Sequence, residues 1–148
     1  MGIPKSISEF HVTEALPYVS GSADRTGAII DMAQFRGVFC VVHFLAIAGS
    51  AVTTLKWQQD TDVAGGTMAD LIGTGISVAD DDDGQIFILD LYEPVERYVR
   101  LYVDKDASHA TAESAIYYQY GARVRPTTVT VADLVTYERH VSPAEGTA

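Results

Sequence analysis

Four consecutive aspartates, Asp80–Asp83, followed by Gly84, are the first residues in this 148-residue chain whose type and spacing suggest chemistry. Calcium takes about six to eight oxygen ligands, and an EF-hand loop supplies them from roughly positions 1, 3, 5 and 12 with glycine at 6. With Gly84 in the glycine position, Asp81 and Asp83 fall on the second and third ligand positions. Ala79 then occupies the first, and Asp90, at the last, sits inside a strand-like run. The tract therefore reads as a solvated turn whose charges discourage strand-edge pairing. Glu93 and Glu96 flank Pro94 and offer the paired carboxylates that glycoside hydrolysis uses, but any acidic chain of this size contains such pairs. The histidines His11, His43, His109 and His140 have no partner at metal-binding spacing, and His43 lies in an apolar run where a hydrogen-bonded core or interface histidine is the plainer reading. No nucleophile elbow, phosphate-cradling glycine loop or cysteine–histidine pair is present, so neither catalysis nor a cofactor is expected.

The elements that would carry these residues are short and β-rich. Ile76–Ala79, Gln85–Tyr92 and Arg97–Val103 are separated by polar turns too short for crossover helices, so neighbouring strands should be antiparallel. Val38–Ile47 is the most hydrophobic segment. Both of its faces are apolar, which marks a central strand covered on both sides or one whose outer face is covered by a neighbouring chain. Ala51–Gln59 alternates, Glu113–Tyr120 forms a last clear strand, and Gly27–Met32 a further one. Thr67–Ile72 suggests one helical turn capped by Thr67 with Asp70 at the third position. Seven or eight strands bounded by Gly, Pro, Asp and Ser predict an all-β, single-domain antiparallel β-sandwich, jelly-roll-like or immunoglobulin-like.

Residues 1–25 and 126–148 read as extended arms around a core of 26–125. The first holds at most a short strand, Phe10–Leu16. The second is helix by its Thr130/Asp133 capping box or strand by the alternation of Val135, Tyr137, Arg139 and Val141.

Composition agrees with a globular body: 47% hydrophobic, 20% charged, one cysteine. The longest apolar run is about 11 residues, short of the roughly 20 that span a bilayer, and no secretory signal is visible. Cys40 reads as a buried inert thiol, which suits assembly in a reducing cytoplasm. Net charge is −10, which disfavours nucleic acid as a partner. The tyrosines of the last strands are the better binding evidence. Tyr98, Arg100 and Tyr102 share one strand face, and Tyr117 and Tyr120 follow. Such a face suits a protein contact, cross-strand packing or sugar stacking, with the protein contact foremost.

The chain resembles the capsid decoration, or cement, proteins of tailed bacteriophages. The resemblance rests on Thr26-Gly-Ala-Ile-Ile-Asp-Met, Thr54-Leu-Lys-Trp-Gln-Gln, Ala69-Asp-Leu-Ile-Gly-Thr, Val78-Ala-Asp-Asp-Asp-Asp, Asp90-Leu-Tyr-Glu-Pro-Val-Glu-Arg-Tyr-Val-Arg, Gln119-Tyr-Gly-Ala-Arg and Val141-Ser-Pro-Ala-Glu-Gly-Thr-Ala. It implies a non-enzymatic protein on the outer capsid surface of a virion, assembled in the host cytoplasm. The implied partners are the major capsid protein and sister copies in a homodimer or homotrimer, with no nucleic acid and no membrane. The Tyr/Arg face with Val135, Tyr137 and Val141 would supply the contacts. A carbohydrate-binding surface module and a head–tail or tail component are the alternatives.

Overall fold

The computed structural model of the protein describes residues 7–124, 127, 133, 135–138 and 144–145. After a 3-10 turn at Ile7–Glu9, the described residues form ten strands: β1 (His11–Gly21), β2 (Arg25–Thr26), β3 (Ile30–Asp31), β4 (Gly37–Ile47), β5 (Thr53–Asp60), β6 (Ala69–Asp70), β7 (Ile76–Val78), β8 (Ile86–Tyr92), β9 (Tyr98–Lys105) and β10 (Thr111–Tyr120). One sheet has the order β1-β10-β4-β8; the other runs β2-β9-β5-β6, with β3 also on β9 and β7 also on β5. Every pairing is antiparallel. Taking β2 with β3, and β6 with β7, as interrupted edge strands leaves two four-stranded layers between which the chain passes back and forth. This is the double-sheet, jelly-roll arrangement. No helix among the described residues is long and apolar enough to cross a membrane.

The layers meet through alternate side chains. Val38, Cys40, Val42 and Phe44 point inward from β4 and are fully buried, as are Leu55 and Trp57 of β5 (the latter nearly so) and Val99, Leu101 and Val103 of β9. Each such burial is worth roughly 1.5–3 kcal/mol. Burial pushes the Cys40 thiol far up, so it stays protonated. Tyr117 fills the centre, its ring 5.9 Å from that of Trp57, and its hydroxyl accepts the Leu101 N–H at 2.7 Å. A Cβ on Gly27 would lie 2.3 Å from that hydroxyl, which is why glycine stands there.

Three expectations need correction. The runs at 76–79, 85–92 and 97–103 are not adjacent: β7 and β9 both pair with β5, whereas β8 pairs with β4 in the other sheet. Their short turns span the gap between layers instead of closing hairpins. The N-terminal arm boundary at residue 25 also fails, because His11–Gly21 pairs along β10 throughout its length. Pro17 is accommodated by register shifts on either side of Leu16, the usual place for proline in a strand. Finally, Thr67–Ile72 is not a helical turn. Its Ala69–Asp70 pairs with Gln58 and Gln59, and Asp60 takes both the N–H (2.8 Å) and the hydroxyl of Thr67, so Thr67 caps nothing. The C-terminal segment beyond 124 lies mostly outside the described residues.

One end of the sandwich is clamped by a buried ionic cluster. Glu113 of β10 is fully buried. It meets Lys105 Nζ at 3.0 Å, Arg25 at 2.8 Å and the Thr111 hydroxyl at 2.8 Å. Lys105 Nζ also donates to the Gly21 carbonyl at 2.9 Å, and Arg25 to the Pro17 carbonyl at 2.7 Å. These bonds tie β10 and β1 of one layer to β9 and β2 of the other.

Candidate interaction surfaces

The acidic tract performs a structural task. Asp80 accepts the Ser50 N–H at 2.6 Å, Asp83 the Ile47 N–H at 2.8 Å and Asp82 the Ala79 N–H at 2.8 Å, so these carboxylates satisfy backbone donors of the β4–β5 loop, of the end of β4 and of their own turn. Among the described residues no group of His, Cys, Asp or Glu is arranged to hold a metal. Asp106 works in the same way on the β9–β10 loop, taking N–H groups from Ser108, Val52 and His109, which hold its carboxyl far below the usual range. Backbone N–H groups likewise lower Asp24 (from Lys105) and Asp60 (from Asp62).

These depressed values set an acid limit. A carboxyl whose folded pKa lies below its unfolded value, about 3.9, contributes stability above that value and loses it as pH falls through the folded one. Urea midpoints are therefore expected to fall steadily below about pH 5. Asp106→Asn should flatten that slope relative to the parent. A midpoint independent of pH across this window would contradict the assignment.

The outer face of the second sheet carries Tyr98, Arg100 and Tyr102, as alternation requires. All three are half-buried, and Arg100 and Tyr102 have polar partners within the chain. Arg100 donates to Gln58 (2.8 Å), which donates to Asp70 (2.7 Å). Lys56 bridges Asp70 and Asp104 at 2.8 and 3.1 Å while lying 5.0 Å from the Tyr102 ring centre. Tyr102 donates to Asp24 at 2.8 Å, which raises the phenol's pKa. Arg97, held by Asp31, covers Tyr98. Much of this face is a polar network within the chain.

Tyr117 belongs to the core and is fully buried, so it is no contact residue. Its Cα partner on β4 is the inward-facing Cys40, and the same parity points Tyr118 and Tyr120 outward. Tyr120 lies half-buried on the outside of the first sheet, over Gly37, and donates to Asp90 at 2.6 Å; desolvation and then this bond raise its pKa. Val135 is half-buried and Tyr137 is 43% exposed; Val141 falls outside the described residues.

Sequence reasoning by residue type missed the most apolar exposed surface. On the outside of the first sheet, Ile88, Val41 and Ile116 form a row across β8, β4 and β10. Ile88 is 61% exposed, Ile86 60%, Ile116 41% and Leu45 41%. Beside them, Phe39 stacks on Tyr118 at 4.9 Å, and Phe10 meets both rings edge-on. The signal was the second apolar face of β4, which had to be covered by something. Arg36, Glu93, Glu96, Arg97 and Arg123 line a separate open groove of about 650 Å³ at one end, with charges of both signs.

No protein-family model and no curated protein sequence matches the chain. Among solved structures, the PBSX exported protein XepA superposes with a TM-score of 0.54 at 13% identity. The match covers 98% of this chain and 47% of that one, so this chain spans about half the length of XepA. A subunit of the Bacillus endospore appendages, described as disulfide-linked pili, superposes with a TM-score of 0.44 at 11% identity, over 81% of this chain and 96% of that one. At such identities the likeness to XepA speaks for the fold: this chain is an all-β sandwich of two antiparallel sheets, shared with that exported protein.

Proposed function

We propose that this protein is a structural subunit of a bacteriophage particle, a decoration protein that binds the outside of the capsid and stabilises it. The observation that carries the reading is the exposed isoleucine face of β8, β4 and β10. A rigid sandwich supports it from behind with a continuous core, and large exposed apolar patches of this kind are characteristic of contact surfaces. The major capsid protein and sister copies, in a dimer or trimer, are the proposed partners. Function here requires buried area and shape, and many copies on one shell multiply a modest contact through avidity. The net charge of −10 keeps the solvent side soluble and repels nucleic acid.

Purified particles should contain this chain in a copy number comparable to the major capsid protein, whereas a tail or connector component would be present in far fewer copies. Shells lacking the protein should bind it saturably on co-sedimentation. The double substitution Ile88→Asp, Ile116→Asp should leave the fold intact by circular dichroism and weaken that binding at least tenfold. Full binding by the folded double variant would refute the proposed contact face.

A further inference from the structure

The two sheets have four lateral edges, and three of them are blunted. β1 contains Pro17 and two register shifts. Both edges of the other sheet are broken into strands of two or three residues, β2 with β3 and β6 with β7. β8 differs. It pairs with β4 without a register shift from Ile86↔His43 to Tyr92↔Gly37, and Ile86–Tyr92 contains no lysine, glycine or proline. Natural edges are normally protected by such devices.

The hydrogen-bonding parity of this edge follows from its ends. Phe44 N–H donates to the Gln85 carbonyl and Glu93 N–H to the Arg36 carbonyl. An antiparallel ladder alternates, so Phe87, Leu89 and Leu91 direct their backbone groups to β4. Those of Ile86, Ile88 and Asp90 point to the open side. Among the described residues no backbone group outside the sheet meets them.

Beside this edge lies a slot of about 250 Å³ between β8 and the Gly73–Ile76 segment. Trp57, 1% exposed, lines it, and its buried indole Nε1–H has no hydrogen-bond partner among the described residues. Buried donors of this type are normally satisfied, and each exception needs an explanation.

Charge adds a third, independent observation. Residues 57–96 hold ten of the twenty acidic residues and none of the ten basic ones, so they carry the entire net charge of −10. They build the end of β5 and all of β6, β7 and β8, with Asp80–Asp83 before β8 and Glu93 and Glu96 after it.

We propose that the open edge of β8 is a strand-acceptor site for a cationic, extended segment of a partner protein. The segment pairs its backbone with Ile86, Ile88 and Asp90, places alternate apolar side chains in the Trp57 slot, and sets its lysines or arginines against the surrounding carboxylates. A second copy of this chain fits less well. Its own β8 side chains Phe87, Leu89 and Leu91 pack against its own core and cannot enter the slot, and it brings the same negative charge. This inference stands independently of the capsid assignment.

The probe is a capped heptapeptide alternating lysine and valine, added to the intact protein. Controls are the same peptide with proline at its centre, which keeps the charge and prevents strand pairing, and one with glutamate for lysine. The alternating cationic peptide should change the fluorescence of Trp57, the single tryptophan. It should slow amide exchange at Ile86, Ile88 and Asp90, and weaken with salt. Ile88→Pro deletes the central outward N–H without touching the β4 ladder and should weaken binding at least tenfold. If that variant does not fold, Gly75→Leu, whose Cβ has only Thr54 in ordinary contact at 3.6 Å, takes its place by filling the slot. Equal binding of the proline or glutamate peptide overturns the proposal, as does protection at amides away from β8. Protection of Ile86, Ile88 and Asp90 that rises with protein concentration alone overturns it in favour of self-pairing.

Discussion

Glu113→Ala is expected to destabilise the protein by about 3–5 kcal/mol, because removing one member of a buried ion pair leaves an uncompensated charge. The charge left behind is the ammonium of Lys105, whose side chain is fully buried. Two neutral acceptors, the carbonyls of Gly21 and Thr111, remain to it at 2.9 and 3.4 Å. Arg25 is in a milder position, since its side chain retains 13% exposure. The cost therefore falls mainly on the β9–β10 junction. The comparison that isolates the cause is a cycle with Lys105→Met. Removing both charges together should restore much of the loss, since apolar replacement of a buried pair is often neutral or better. Urea unfolding of the four proteins measures this. A single Glu113→Ala loss below about 1 kcal/mol, the range of an exposed pair, would mean the cluster does not clamp the layers.

The second large effect is expected at Trp57. Truncation to alanine should cost about 3–5 kcal/mol, the range for deleting a large buried aromatic. Trp57 sits at the middle of the core against Tyr117 and under the slot beside β8, so the void it leaves joins an existing one. Trp57→Phe should cost far less. The phenyl ring retains much of the contact, and the indole N–H it eliminates has no acceptor among the described residues to lose. A buried unsatisfied donor carries a penalty of roughly 1–3 kcal/mol, which its removal relieves. Thermal unfolding of the two variants should therefore separate them widely. Equal losses would imply that the N–H is satisfied after all and that volume alone does not govern the site.

Why some residues were legible in the sequence and others were not is clearest on β9 and β10. In β9 a period of two places Val99, Leu101 and Val103 inside and Tyr98, Arg100 and Tyr102 outside, and the structure has them so. Residue type alone does not show what those side chains touch. Tyrosine and arginine suggest a contact surface, and Lys56, Gln58, Asp70, Asp24 and Asp104 engage Arg100 and Tyr102 there from strands and loops distant in sequence. On β10 the candidates Tyr117 and Tyr120 lie on opposite faces, because three residues apart in a strand is an odd step. Isoleucines that look like core material, Ile86, Ile88 and Ile116, stand on the exposed outside.

By itself the sequence determined the class of the molecule. Strand-length apolar runs with two-residue alternation, short polar turns and the doubly apolar β4 segment dictate an antiparallel sandwich, since periodicity and turn chemistry are local properties. Only the tertiary structure decided which layer each strand joins, since a turn of four or five residues can close a hairpin or cross a sandwich equally well. It also decided that His11–Gly21 is a strand despite Pro17, that Arg25, Lys105 and Glu113 converge from 88 positions apart at the extreme, and that β8 has no second neighbour among the described strands. Those outcomes depend on pairing between distant segments, which no local pattern encodes.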